Sequence, residues 1–338
     1  MFTDSEPTDA CLEHRAWAED ASFVAAQSSL EVCDEDAEVT VQRQGVARIP
    51  AAVSADTTKA LRAFVLKARD AALERSTSNS KNAALANAAQ FAVLGNCLGM
   101  KADVTCPDAV VTRRDVRLPL GADCVTDALH ELLSGPVGDA LEKLAGADAV
   151  LWELSAMVCE AGACPQPVHA DSLYTRERCV YTAFLALQNV SAEMGPTRFF
   201  PGSHRCAATH DAWRGASGAQ DAAKLVREAK PVQGLLDNGD VSIHDSRTLH
   251  CGAPNICEKD EDANTRVLFY LSFASENVDI VSLERQRNAS IRPHLAKRRI
   301  TLAQLRANVS KPKKVPQTVK KPPSAEFLSL VASLGLAE

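Results

Sequence analysis

The stretch Gln166-Pro167-Val168-His169-Ala170-Asp171 predicts half of a metal site. In an extended strand the side chains alternate between two faces, so His169 and Asp171 point to the same side. A second histidine would complete the set of two imidazoles and one carboxylate that binds non-haem Fe(II) and leaves positions open for other ligands. Because the chain contains eight histidines, a His-x-Asp triplet can arise by chance, and the prediction depends on the rest of the sequence.

The second histidine is His250, which lies 81 residues after His169. This separation is compatible with two strands that face one another in a closed β architecture. Arg266 follows sixteen residues later, at the start of another β-rich run. A guanidinium can bind a small dicarboxylate through two parallel hydrogen bonds. The sequence therefore predicts three metal ligands and one anchor for a carboxylate.

The second half of the chain is rich in short β-like runs. They are separated by turn signals such as Gly195-Pro196 and Asn238-Gly239, and one predicted helix, over roughly 219–229, interrupts them. The predicted strands are 150–160, 178–190, 241–243 and 266–274. Strands that follow one another mostly without intervening helices predict an antiparallel sandwich or barrel.

The first half supplies most of the predicted helices. Apolar residues at helical spacing predict helices over 55–75, 125–133 and 137–144, the last two separated by Gly135-Pro136. Strands are predicted over 39–50 and 113–120, and a loop over 76–89. The predicted fold class is therefore mainly β with flanking helices.

At the residues of the predicted site, the sequence resembles the phytanoyl-CoA dioxygenase family. The resemblance covers roughly residues 40–275 and rests on the order of its motifs. These are His169-x-Asp171, the turn Gly195-Pro196-Thr197-Arg198-Phe199-Phe200-Pro201-Gly202-Ser203-His204-Arg205, Gly239-Asp240 with His250-Cys251-Gly252-x-x-Asn255, and Arg266. The resemblance implies a double-stranded β-helix, a jelly-roll core of the cupin-like kind.

The resemblance also implies a chemistry. Members of the family are largely Fe(II)- and 2-oxoglutarate-dependent oxygenases, so we expect His169, Asp171 and His250 to bind Fe(II), with 2-oxoglutarate and O2 as cosubstrates. Arg266 is expected to bind the distal carboxylate of 2-oxoglutarate. The expected reaction hydroxylates a small-molecule substrate and releases succinate and CO2. Asp171 favours oxygenation over halogenation, because halogenases of the family carry a small residue at this position.

Two positions depart from the family pattern. The insert at 258–263 lengthens the usual gap before Arg266. If this insert does not loop outward, Arg247 becomes the alternative anchor for the carboxylate. Phe184 stands where some members carry a tryptophan that lines the cosubstrate pocket, and it is a candidate for the same contact.

Other polar residues near the motifs have weaker assignments. Gln166 and Tyr174 flank the metal motif and are candidates for substrate contact. His244 is expected to have a structural role or to support a metal ligand, as most histidines beside a metal site do. His204 and Arg205 are expected to stabilise the turn that contains them.

The two ends of the chain carry opposite charge. Residues 1–40 contain eleven acids and one base, whereas residues 285–321 contain twelve bases and no acid. We expect an acidic arm over 1–38, an oxygenase domain over 39–280, and a basic tail over 281–338 with a short amphipathic helix at 325–336. Pairing of arm and tail is favoured over nucleic-acid binding, because no aromatic residues interleave with the bases and the net charge is −6.

The composition is that of an ordinary globular protein, with 46% hydrophobic and 24% charged residues. Eleven cysteines without a C-x-x-C pair, and no recognisable signal peptide, predict reduced thiols and a cytoplasmic location. No apolar run is long enough for a membrane span. Two function classes stay open: an Fe(II)/2-oxoglutarate dioxygenase, and a non-catalytic cupin-like binding protein that retains the fold and metal site. The four site residues together favour the enzyme.

Overall fold

The computed structural model describes residues 28–32, 36–77, 91–93, 113–163, 165–166, 168–172, 174–176, 180–205, 207, 230–258, 262–276, 278, 295 and 298–309. Within these ranges the strands are β1 (Ser28–Ser29), β2 (Val46–Ile49), β3 (Phe91–Val93), β4 (Arg113–Arg117), β5 (Val150–Cys159), β6 (Val180–Ala186), β7 (Thr197–Phe199), β8 (Val232–Gln233), β9 (Val241–Asp245), β10 (His250–Gly252) and β11 (Arg266–Ala274). The α-helices are α1 (Ala37–Gln44), α2 (Ala55–Thr77), α3 (Asp123–Ser134), α4 (Pro136–Ala145) and α5 (Leu302–Val309). Short 3-10 helices span Ser203–Arg205 and Asp262–Asn264.

The strands form two sheets. The large sheet has the order β2-β9-β6-β11-β5-β4-β3, and the small sheet has the order β1-β8-β7-β10. All neighbouring strands are antiparallel except β1 and β8, which are parallel. The predictions of a mainly β chain with flanking helices and of antiparallel strands are confirmed, and the sheets do not close into a barrel.

The two faces of the large sheet have different partners. Along β11, Val267, Phe269 and Leu271 belong to the main hydrophobic core, which also contains buried residues of α2, α3, α4 and α5. The alternate residues Leu268 and Tyr270 pack in a second cluster with Phe184 of the large sheet and Phe199 of the small sheet. The helices therefore cover the outer face of the large sheet, and its inner face looks towards the small sheet.

Most of the predicted elements are present. The strand predicted at 266–274 has the bounds of β11, and the helices predicted at 125–133 and 137–144 are α3 and α4. Pro136 occupies the start of α4, where proline removes no helical hydrogen bond. The helix predicted at 219–229 and the helix predicted at 325–336 lie outside the described residues, as does most of the loop predicted at 76–89.

The strand predicted over 39–50 is wrong in its first part. Residues Ala37–Gln44 form α1, and only Val46–Ile49 form a strand. Val39 and Val41 alternate as in a strand, but Val41 is buried on one face of the helix while Val39 is exposed. Gly45 ends the helix with φ 87°, a left-handed conformation that favours glycine, and its N–H donates to the carbonyl of Val41 at 2.8 Å. The strands β1, β3, β7, β8 and β10 and the helix α5 were not predicted from the sequence.

Helix α4 binds the described parts of both predicted terminal segments. Lys143 of α4 forms ion pairs with Asp36 and Glu38. Arg306 of α5 forms ion pairs with Asp139 and Glu142, both at 2.6 Å. Exposed pairs of this kind contribute at most about 1 kcal/mol each. Direct pairing of the acidic arm with the basic tail stays a prediction, because most of both segments lies outside the described residues.

The described helices include none that is both long and apolar enough to cross a membrane.

Replacement of Gly138 by Ala should destabilise the fold. A Cβ at this position would lie 2.1 Å from the carbonyl oxygen of Leu133, at the junction of α3 and α4, so the two helices must shift. We expect a loss of about 1–3 kcal/mol in the free energy of unfolding, although alanine is intrinsically the better helix former by ~1 kcal/mol. Urea denaturation measures the change. Gly121→Ala is the matched control, because its Cβ would meet no atom within 4 Å; equal stability of the two variants would contradict the prediction.

Candidate metal centre

Backbone pairing brings the two predicted histidine ligands together. The N–H of His169 donates to the carbonyl of His250, and the N–H of His250 donates to the carbonyl of His169, both at 2.8 Å. The pair is an isolated antiparallel bridge, so the strand expected around His169 is reduced to this one position. The ring centroids of the two imidazoles are 4.4 Å apart.

Asp171 completes a cluster of three possible ligands. Its Oδ1 lies 3.7 Å from Nε2 of His169, and its Oδ2 lies 3.6 Å from Nε2 of His250. One ligand atom from each of the three residues lies within 4.8 Å of the other two, and the side chains are at most 15% exposed. This arrangement fits one transition-metal ion held by two imidazoles and a carboxylate.

The surroundings of the ligands affect their hydrogen bonding and their pKa values. Nδ1 of His250 lies 2.9 Å from the carbonyl of Thr248. A proton on Nδ1 donates to this carbonyl and leaves the lone pair of Nε2 available to a metal ion. Burial lowers the pKa of His250. For Asp171, burial alone would raise the pKa, but the imidazoles of His250, His244 and His169 outweigh it and hold the pKa well below its ordinary value.

A third imidazole lies beside the cluster. His244 is fully buried on the inner face of β9, and its Nε2 lies 3.6 Å from Oδ2 of Asp171. Its ring stacks on Phe184, with centroids 5.1 Å apart and an interplanar angle of 25°. Phe184, the candidate for the cosubstrate pocket, also meets Tyr270 edge to face. The structure thus places His244 next to a predicted ligand, as expected for a supporting role.

Arg266 is a buried cation on the inner face of the large sheet. It opens β11, is fully buried, and its Nη1 donates to the carbonyl of Gly195. No carboxylate of the described residues forms an ion pair with it. Burial, together with the nearby Arg113, lowers the pKa of Arg266 to about 10. A buried guanidinium in such surroundings is suited to bind an anionic group.

The described end of the acidic insert is bound by helix α2. Arg62 of α2 donates to the carbonyls of Asp262 and Thr265 at 2.5 and 3.0 Å, and Arg69 binds the carboxylate of Asp262 at 3.3 Å. Arg266 then pairs in register with Cys159 of β5.

The alternative anchor, Arg247, already has a counter-charge. Its guanidinium binds both carboxylate oxygens of Asp245, at 2.8 and 2.5 Å, and donates to the carbonyl of Thr175 at 2.7 Å. A neutralised guanidinium of this kind stabilises its own loop, and the assignment of Arg266 as the anchor stays a prediction.

Gly252 marks a close approach near the metal centre that the sequence did not reveal. A Cβ on Gly252 would lie 2.6 Å from Nη1 of Arg113 and 2.6 Å from Oε1 of Gln166. The N–H of Gly252 donates to that same Oε1 at 3.1 Å. Arg113 was assigned only to a scaffold strand, since no motif marks it. The strands β4 and β11 pair with opposite edges of β5. Arg113 of β4 and Arg266 of β11 therefore both lie opposite Cys159 of β5.

The remaining candidates contact the Ser203–Arg205 turn or lie in it. The hydroxyl of Tyr174 donates to the carbonyl of Arg205 at 3.5 Å and is partly exposed. His204 is buried in the turn, with Nε2 3.1 Å from the carbonyl of Gln42. This contact agrees with the structural role predicted for His204.

The sequence matches the phytanoyl-CoA dioxygenase family over residues 41–261. Among solved structures, it is similar to SnoK, a non-haem alpha-ketoglutarate-dependent carbocyclase from nogalamycin biosynthesis. The identity is 19%, the match covers 74% of this chain and 87% of SnoK, and the TM-score is 0.50. AviO1 from Streptomyces viridochromogenes Tue57 is 16% identical, with 73% of this chain and 98% of AviO1 covered and a TM-score of 0.50. These likenesses confirm the predicted jelly-roll fold. No curated protein sequence matches the chain.

Replacement of Asp171 by Ala should remove most of the affinity for divalent metal ions, because Asp171 is the anionic member of the cluster. We expect the dissociation constant for Co(II) or Mn(II) to rise more than about 100-fold, since even residues that only support a ligand cost 10–100-fold. Isothermal titration measures the constant. Asp148→Ala removes an exposed carboxylate elsewhere and should bind as the unchanged protein does. Equal metal affinity of the two variants would refute the assignment.

Proposed function

Because the chain belongs to the phytanoyl-CoA dioxygenase family, we propose that it is a non-haem Fe(II)- and 2-oxoglutarate-dependent dioxygenase that hydroxylates a small molecule. The observation that carries the proposal is the cluster of His169, Asp171 and His250, whose ligand atoms lie within 4.8 Å of one another and whose two histidines are buried. Two imidazoles and one carboxylate with open positions are the ligand set of non-haem Fe(II) oxygenases.

His169, Asp171 and His250 would hold the Fe(II) ion. When bound, the iron supplies the reaction with O2 that oxidises 2-oxoglutarate to succinate and CO2 and hydroxylates the substrate. Three protein ligands would leave the remaining positions of the ion to exogenous ligands. The ligand side chains are at most 15% exposed, and electrostatic contacts are stronger where access of water is limited.

Arg266 would bind the distal carboxylate of 2-oxoglutarate. A buried cation that forms no ion pair with the described carboxylates gains most from an anionic ligand, because burial of an unpaired charge is costly. Phe184, packed between His244 and Tyr270, would supply an apolar wall to the same pocket. Gln166 and Tyr174 stay candidates for substrate contact, and Gln166 accepts a hydrogen bond from Gly252, two residues after His250.

Turnover of 2-oxoglutarate separates the enzyme from the non-catalytic binding protein. The purified chain with Fe(II), ascorbate and 2-oxoglutarate should form succinate slowly even without a primary substrate, and Asp171→Ala should not. Tight binding of metal and 2-oxoglutarate without any succinate would instead support the binding protein. Failure to bind either ligand would overturn both. A metabolite screen for stimulated succinate release would then identify the substrate.

Replacement of Arg266 by Ala should weaken the binding of 2-oxoglutarate while metal affinity stays nearly unchanged. Loss of one partner of a buried charge pair costs about 2–5 kcal/mol, which corresponds to a roughly thirty-fold or greater rise in KM. Steady-state kinetics with varied 2-oxoglutarate measures the change.

The matched control for this prediction is Arg247→Ala. Because Arg247 is paired with Asp245, its loss should lower stability and leave the KM for 2-oxoglutarate unchanged. A large rise in KM for Arg247→Ala, with none for Arg266→Ala, would show that the anchor is assigned to the wrong arginine.

A further inference from the structure

His244 is held rigidly on the inner face of the large sheet. Its neighbours Val241 and Ile243 on β9 belong to the main core, whereas His244 points towards the small sheet. Its ring lies against Phe184, and its centroid is 5.3 Å from that of Phe199 and 5.1 Å from that of His250. Because these aromatic rings surround it, the imidazole cannot turn without moving its neighbours.

The polar atoms of His244 have no conventional partner. Among the described residues, neither ring nitrogen makes a hydrogen bond of normal length. A buried polar group without a partner costs about 1–3 kcal/mol. The charged atom that Nε2 faces is Oδ2 of Asp171, at 3.6 Å. A proton on Nε2 would therefore point at a carboxylate that is itself a metal ligand.

Asp171 in turn depends on imidazoles for its orientation. In the described part of the chain, the polar groups recorded at its carboxylate are Nε2 atoms of His169, His244 and His250, at 3.6 to 3.7 Å. Two of these imidazoles belong to the ligand cluster and His244 does not. His244 is thus the neighbour that remains to orient the carboxylate when the other two bind a metal ion.

We propose that His244 is a positioning residue, whose Nε2–H holds the carboxylate of Asp171 in the orientation that meets the metal ion. The inference rests on the proposed metal centre and goes beyond it, since it assigns a task to a residue outside the ligand set. Carboxylates and carbonyls that orient metal ligands are common in proteins. Here the order is reversed, with an imidazole orienting a carboxylate ligand.

Three single substitutions test the proposal through their effect on Co(II) binding. Calorimetry measures the affinity, and the visible absorption of the bound ion reports its coordination. His244→Phe keeps an aromatic ring between Phe184 and Phe199 but removes the donor, and should weaken Co(II) binding about 10–100-fold. His244→Gln keeps an N–H donor at a similar reach and should restore most of the affinity and the wild-type spectrum. His244→Met has a similar length without a donor and should behave as His244→Phe does. The Gln and Met pair decides the matter if the Phe variant does not fold.

A double-mutant cycle shows whether His244 acts through Asp171. In an Asp171→Ala background, His244→Phe should have no further effect on Co(II) affinity, because the group that it positions is gone. An undiminished effect in that background would mean that His244 itself ligates the metal, and would overturn the proposal.

The same measurements separate this proposal from the proposed function. Wild-type binding of Co(II) together with unchanged affinity in His244→Phe and His244→Met overturns the positioning role alone. A wild-type chain that binds no Co(II) overturns the metal centre and the inference with it. A His244→Gln variant as weak as His244→Met also contradicts the positioning role, because the donor alone should suffice.

Discussion

Two hydrogen bonds between His169 and His250 determine the geometry of the candidate centre. They join segments that are 81 residues apart, and each histidine supplies both the donor and the acceptor of the pair. These hydrogen bonds fix the distance between the backbones of the two histidines and so limit the separation of their imidazoles. Asp171, two residues after His169, lies within 3.7 Å of Nε2 of both histidines. The position of the cluster therefore depends on the sheets that hold the bridge in place.

The second determinant is the register of β11. Arg266 can face the inner side only if the acidic insert before it leaves the pairing with β5 intact. Arg62 and Arg69 of α2 bind Asp262, near the end of the insert and shortly before β11 begins. A shift of one residue would exchange the two faces of β11 and would place Val267 where Arg266 now lies. The segment just before the proposed carboxylate anchor thus contacts a helix from the first half of the chain.

Sequence patterns predicted those parts of the site that carry a motif or a period. His169, Asp171, His250 and Arg266 were predicted as site residues because their residue types and order are distinctive, and the bounds of β11 were predicted correctly. Helix α1 was missed because Val39 and Val41 fit the period of a strand. Arg113 was missed for a different reason: only the pairing of β4 with β5 brings it near Gly252. Contacts that depend on the order of strands in a sheet, or on helices far away in the chain, cannot be predicted from a local sequence pattern.

The two faces of the large sheet have different roles. The outer face packs in the main hydrophobic core, and the inner face carries the candidate site residues. Its outer face contributes Phe269 and Leu271 of β11 to the main core beneath the helices. The inner face of the same strand carries Arg266 and Ser272, and Ser272 donates to the carboxylate of Glu153 at 2.8 Å. The inner face also carries Leu268 and Tyr270, so polar and apolar side chains share it. A fully buried Leu or Phe contributes about 1.5–3 kcal/mol, so the outer face supplies stability that does not depend on how the polar groups are paired. A β-strand can carry two different faces because its side chains alternate. In physical terms, the inner face is free to specialise for ligands because the helices on the other side hold the sheet together.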